Sequence, residues 1–496
     1  MAPRQRLAIG IVVVILLVLL ALIGQVTFLA PMFATPPSTP TRTATPTNTS
    51  TPTPTATMRP TPTQEPLQLS PPFVSSSGQL AYVQDGCLFV AEIDGQTTMI
   101  AEDVVCADEG TVWSPDSRRL LYVTERESHL EHHIWDSATR STLHLEQEVL
   151  GFPPEHWIGN VVWAPDGRRL LLGTFTYLEE APPVRSISGL WALDVETHRL
   201  WEVVDIGPGS VGVEPVWIDQ DTLLYDRSCG LSCWLGMVHV GPPARPLTMT
   251  TDLFVVTGGY ALSPDRRYLA SRKFINYDGE TWPWQLQVVP LPGNPPLTSS
   301  PHPVMVGFGS LLWSPDSRWI ACGAPALDGS GQDGPYTVVV DTTEISATQI
   351  ITGLLPQAWS PDSHLIAGWT CLEPDCDLAI TDVKSGQIVS LAADRPFRWS
   401  DLAWSPSGSY LAYSLSGPDS SPWKSVHVWD RTTGNQHTLM GDDEPGRFTD
   451  LQWTPDGSWL FFAQRGRWIV TGEAPHPVRA IWRARPDDKH PLPVAP

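Results

Sequence analysis

WSPDS at residues 113–117 is written again at 313–317 and 359–363, and WAPDG (163–167), WSPSG (404–408) and WTPDG (453–457) are close variants. A tryptophan followed by a proline-centred turn therefore punctuates this chain at a nearly fixed interval. WIDQD (217–221) and LSPDR (262–266) are degenerate copies. With them, Trp113, Trp163, Trp217, Leu262, Trp313, Trp359, Trp404 and Trp453 occupy one position, 45 to 54 residues apart. A period of that size marks a repeat architecture.

Each unit has the same grammar. A short apolar run ends in the tryptophan, as in GTVW (110–113) and DLAW (401–404). Ser114-Pro115-Asp116-Ser117 then places Ser first and Pro second, the preferences of a type I turn; Gly167, Gly408 and Gly457 fill the fourth position, where Gly is favoured. A second apolar run follows (Leu120-Leu121-Tyr122, Leu411-Ala412-Tyr413), then a variable loop and a third run such as HHIWDSATR (132–140) or VHVWDRTTG (426–434). In that third run an Asp opens a polar turn, and a fourth short run closes the unit. Four turn-bounded strands without helical periodicity describe one blade of a β-propeller. A lone blade leaves both faces wet, so blades must stack, with the recurring tryptophan between neighbours. A residue repeated in every blade serves the scaffold rather than one unique site.

The pattern W-[ST]-P-D-[SG]-x-x-[LI] resembles the WD-repeat-like propeller repeat of the TolB family, relatives of which form the propeller of prolyl oligopeptidase-type peptidases. The resemblance implies an all-β propeller with a scaffolding or docking role outside a membrane. No G-x-S-x-G elbow is present, so the hydrolase half of those peptidases is not implied. Eight motifs predict eight blades, with seven and nine as the neighbouring counts. Residues 75–103 read as three strands lacking a first one, and one blade shared between the two chain ends is the expected closure.

Leu7–Gly24 carries no charge, the apolar stretch runs on to Phe33, and Arg4 and Arg6 precede it. That length suits a membrane-spanning helix, and the charge bias keeps the amino end in the cytoplasm. A cleaved signal peptide is the rival reading. Residues 34–66 hold 13 Thr and nine Pro, a composition that forms no core and favours an extended, disordered stalk. The expected organisation is a cytoplasmic tail (1–6), an anchor (7–30), a Thr/Pro-rich stalk (31–68) and an exported propeller (69–496). The formal net charge of −22 argues against nucleic acid as a partner.

Export makes disulfides reasonable. Cys229 and Cys233, and likewise Cys371 and Cys376, fall between the second and third strands of their units. Cys87 and Cys106 form a third candidate pair, and Cys322 sits in an apolar strand as a buried thiol. His132-His133 is the densest ligand-like pair, but strand alternation sends the two rings to opposite sides, one of them to solvent. No metal or cofactor is expected, and no phosphate or dinucleotide loop is written. Long insertions place Tyr277, Trp282, Trp284 and Trp423 at a rim as candidate ligand anchors. The expected function is a non-catalytic, membrane-anchored module that binds a protein, peptide or glycan. The alternative is a hydrolase or lyase with its site at the central funnel.

Overall fold

In the computed structural model the described residues run from Val74 to Ala495. Residues 1–73, so the anchor and stalk too, lie outside them. So do connecting segments, among them 105–110, 146–156, 178–184, 228–232, 248–253, 275–283, 292–304, 325–335, 392–400, 417–423 and 466–477. Among the described residues no helix is long and apolar enough to cross a membrane.

Each repeat folds into an antiparallel sheet whose strands follow one another in sequence order. Blade 2 is Thr111–Trp113, Arg119–Arg126, His129–Asp136 and Ser141–His144. Blades 3 to 9 open on the strands Trp157–Trp163, Val216–Trp217, Tyr260–Leu262, Leu311–Trp313, Leu355–Trp359, Leu402–Trp404 and Arg447–Trp453. Ahead of them lies a further sheet, Leu80–Gln84, Cys87–Ala91 and Thr97–Ala101, whose first position is held by Val74 bridging to Leu80. There are thus nine blades, not eight.

The extra blade escaped the motif count because its turn is written in other residues. In blade 2, Ser117 N donates to Ser114 O (2.8 Å) and Ser114 N to Arg119 O (2.7 Å). In blade 1, Gly78 N donates to Ser75 O (2.9 Å) and Ser75 N to Gln79 O (2.7 Å). Val74-Ser75-Ser76-Ser77-Gly78 is the same turn with valine for tryptophan, serines for proline and aspartate, and one residue fewer before the next strand.

Nine hydrophobic clusters fill nine seams. Blade 1 packs on blade 2 through Val83, Leu88, Trp113 and Leu120, and the series continues round to blades 8 and 9. The ring closes where Val74, Leu80 and Tyr82 of blade 1 meet Phe461, Ala463 and Ile481 of blade 9, with Val74 N donating to Gln452 Oε1 at 3.1 Å. Closure therefore uses side-chain packing between two separate blades and no shared one.

The recurring tryptophans lie in these seams, each facing the preceding blade. Trp163, Trp313, Trp359 and Trp453 donate Nε1–H to Val112 O (3.2 Å), Ala261 O (3.0 Å), Leu312 O (3.0 Å) and Ala403 O (2.9 Å), always one blade back. Blade 5 has only Leu262, which packs against the same seam. There Arg266 supplies the cross-seam bond instead, donating Nη1–H to Trp217 O at 3.1 Å.

The turn chemistry is equally regular. Ser114 Oγ donates to Asp116 Oδ1 (2.5 Å) and accepts from Arg119 N (2.8 Å), and the bonds recur at Ser314 and Ser360. The fourth turn residue is left-handed, with φ of 58° at Ser117, 65° at Gly167 and 70° at Gly457, which explains the preference for Gly there. Asp136, Asp194, Asp341, Asp382 and Asp430 end the third strands of their blades and fold the next turn: Asp136 accepts from Ala138 N (2.9 Å) and Thr139 N (3.1 Å) and pairs with Arg118 at 2.9 Å. Burial opposes its charge, but these donors and the Arg118 and Arg119 guanidiniums more than offset that and hold the carboxyl below its usual range.

His132 and His133 do alternate across their strand, yet both are buried (5% and 4% exposed) rather than one reaching solvent. The reason is architectural, since both faces of a blade are covered by neighbours. His133 stacks on Tyr122 and accepts or donates one bond with Thr124 Oγ1 at 2.7 Å.

Asp401 ties blade 8 to blade 9, accepting from Leu402 N (3.0 Å) and, across the seam, from Leu451 N (3.1 Å). Burial raises its carboxyl above the usual range; the Asp450 charge adds to this and the N–H donors oppose it. A carboxyl raised in the folded state takes up its proton there first, so its stabilising contribution grows as pH falls through the folded pKa and is lost as pH rises above it. Asp401→Asn is therefore expected to remove part of the stability gained as pH falls from neutrality to the ordinary carboxylate value of 3.8. Urea midpoints across that range measure it; unchanged pH dependence would refute it.

Candidate binding site at an irregular seam

The degenerate motif at 217–221 has a structural consequence. In blade 3 Trp163 pairs with Leu170, whereas in blade 4 Trp217 pairs with Leu223, so the intervening turn is one residue shorter. It has no proline and is held by Asp221 N donating to Asp219 Oδ1 at 2.8 Å. Beside the longer turn of blade 3 the short one leaves a groove of about 530 Å³, lined by Pro165, Asp166, Asp219, Gln220, Asp221 and Thr222.

Arg169 spans this groove. Its Nη1 meets Asp221 Oδ1 (3.0 Å), its Nη2 meets Asp166 Oδ2 (2.8 Å) and the Gln220 carbonyl, and its guanidinium lies 5.9 Å from the Trp217 ring centre. Burial opposes the charge on Asp166, but bonds from Arg168 N–H and Arg169 outweigh it and keep the carboxyl below its usual range. Asp166, Asp219 and Asp221 line the groove and the Arg169 guanidinium pairs with only Asp166 and Asp221, so the groove carries net negative charge. Trp217 is buried, and its Nε1 finds no acceptor among the described residues.

A second groove opens at the same seam. The outermost strand of blade 3, Arg199–Ser210, has 12 residues, while the facing strand of blade 4, Arg245–Leu247, has three, all exposed. Between them Arg199, Trp201, Glu202, Val203, Asp205, Pro242, Pro243 and Ala244 enclose about 520 Å³. Trp201 is fixed by its Nε1–H bond to Val240 O at 2.6 Å. Its lining combines apolar Trp201, Val203, Pro242, Pro243 and Ala244 with charged Arg199, Glu202 and Asp205.

Neither groove was legible as a site, because Trp201, Arg169 and the aspartates carry no motif. The available signal was the missing proline turn at 217–221. Of the rim aromatics, Tyr277, Trp282 and Trp423 lie outside the described residues, and Trp284 opens the strand Trp284–Pro290 opposite Phe274 and Val306. Cys106 and Cys229 also lie outside them. Cys87 opens its strand opposite Gln84, and Cys233 opens its strand opposite Val255. Cys322 is buried, as expected. Among the described residues no group of three or more His, Cys, Asp or Glu is placed to hold a metal ion.

Fold and repeat together define a β-propeller with TolB-like, WD-repeat-like blades. One solved structure with a TM-score above 0.5 bears out the fold. A eukaryotic initiation factor is similar over 84% of this chain and 94% of its own, at 17% identity and a TM-score of 0.55. Porphyromonas gingivalis dipeptidyl peptidase 4 is similar over 81% of this chain and 65% of its own, at 10% identity and a TM-score of 0.48. TolB from Acinetobacter baumannii matches over 56% of this chain and 61% of its own, at 13% identity and a TM-score of 0.28. At such identities the likeness is one of fold alone. No protein-family model matches the chain, and no curated protein matches it.

Proposed function

We propose that this chain is a membrane-anchored, extracytoplasmic propeller that acts as a non-catalytic binding module, and that it takes an extended, basic peptide segment of a protein partner along the seam of blades 3 and 4. The observation that carries the reading is the coincidence of two grooves at the seam of blades 3 and 4, where the turn of blade 4 is shortened and has no proline. The acidic groove suits a Lys or Arg side chain, and the Trp201–Pro243 groove suits an apolar one. The apolar run at 7–30 and the Thr/Pro-rich stretch that follows support the anchored placement.

The test presents the full chain, in detergent, to a library of extended peptides. Enrichment of Lys- or Arg-containing sequences is expected. Placing lysines at exposed rim positions, as Glu202→Lys with Asp219→Lys, should weaken the selected peptide about tenfold, or about 1.4 kcal/mol. Unchanged binding in that variant, with loss on Trp423→Ala or Tyr277→Ala, would move the site to the rim loops and overturn the assignment.

A further inference from the structure

The hairpin between the second and third strands of blade 7 holds two cysteines in register. Leu365–Leu372 and Asp375–Asp382 pair antiparallel, with Leu372 opposite Asp375 and Cys371 opposite Cys376. Only Glu373 and Pro374 separate the innermost pair. In a hairpin of that length the pair flanking the loop exchanges ladder hydrogen bonds, so the next pair outward is the non-hydrogen-bonded one, with Cα atoms about 4.5 Å apart. That spacing falls within the roughly 4.4–6.8 Å window of disulfides. We infer that Cys371 and Cys376 form a cross-strand disulfide that clasps the tip of blade 7.

The chemistry needs a disulfide donor, a small molecule or an oxidoreductase cystine. One thiolate attacks the donor and forms a mixed disulfide, and the second displaces the donor thiol. Two protons and two electrons leave the cysteines, and the donor is released as two thiols. The inference rests on the exported placement above only for the supply of that oxidant, and not at all on the partner.

The test has two arms. In the first, full-length chain purified reduced is exposed to oxidised glutathione, alkylated under denaturing conditions and cleaved before aspartate. Cleavage before Asp375 separates the two cysteines, so a bridge leaves the fragments joined until a reductant is added. Joined fragments in wild type, absent in Cys371→Ser, are expected; alkylation of both cysteines after oxidation would overturn the bridge. The second arm applies the same mapping to chain exported by its own amino-terminal segment. A pair that bridges in the first arm but is fully alkylated in the second upholds the geometry and counts against export.

Discussion

Trp453→Ala is expected to destabilise the propeller by about 3–5 kcal/mol, the range for removing a buried tryptophan. The side chain is buried in the cluster joining blades 8 and 9, its ring stacks on Tyr410 with centroids 6.2 Å apart, and its Nε1–H bonds Ala403 O at 2.9 Å. Alanine removes the packing, opens a cavity and deletes the hydrogen bond across the seam. Trp453→Phe keeps most of the apolar surface and should cost less, including about 1 kcal/mol for the lost hydrogen bond. Trp404 occupies the equivalent place but its Nε1 has no acceptor among the described residues, so Trp404→Phe lacks that last contribution. Urea midpoints for the three variants check the ordering. A loss below about 1 kcal/mol for Trp453→Ala would place the indole outside the core, since a buried truncation costs more than that.

Gly368→Ala is expected to cost about 3 kcal/mol or more, at the upper end for overpacking. A Cβ there would stand 2.0 Å from Leu355 O, a main-chain atom. Gly368 pairs with Pro356, where a register shift between Pro356 and Ala358 brings the first strand of blade 7 onto its neighbour. No rotamer change relieves such a contact, so the strand itself must move. Gly441→Ala is the control, because nothing lies within 4 Å of the added methyl; it should change stability by no more than about 0.5 kcal/mol. Thermal unfolding of the two variants side by side measures the difference. Similar melting temperatures would show that the blade 7 strand yields freely.

How much of this was legible depends on what each feature asks of the chain. The blades were, because most of them repeat a large indole, a turn that needs a left-handed fourth residue, or an Asp that folds the next turn. Their number was not. Blade 1 satisfies the same main-chain bonds with Val74, three serines and Gly78, and a turn specified by backbone geometry tolerates that rewriting. The fate of His132 and His133 was misread because strand alternation predicts which side a residue takes, not whether that side is wet. The seam grooves arise from a one-residue difference between adjacent turns, which acquires meaning only once Trp163 and Trp217 lie in neighbouring blades. By contrast, the departure of WIDQD from the motif was visible, and it marks the same seam.

An experimental density map of residues 69–496 tests the closed ring most directly. It should show nine radial sheets, the indoles of Trp163, Trp313, Trp359 and Trp453 against the carbonyls of the preceding blade, and Val74 N within bonding reach of Gln452. Eight sheets with the two chain ends sharing one of them, or an open arc with blades 1 and 9 apart, would contradict it.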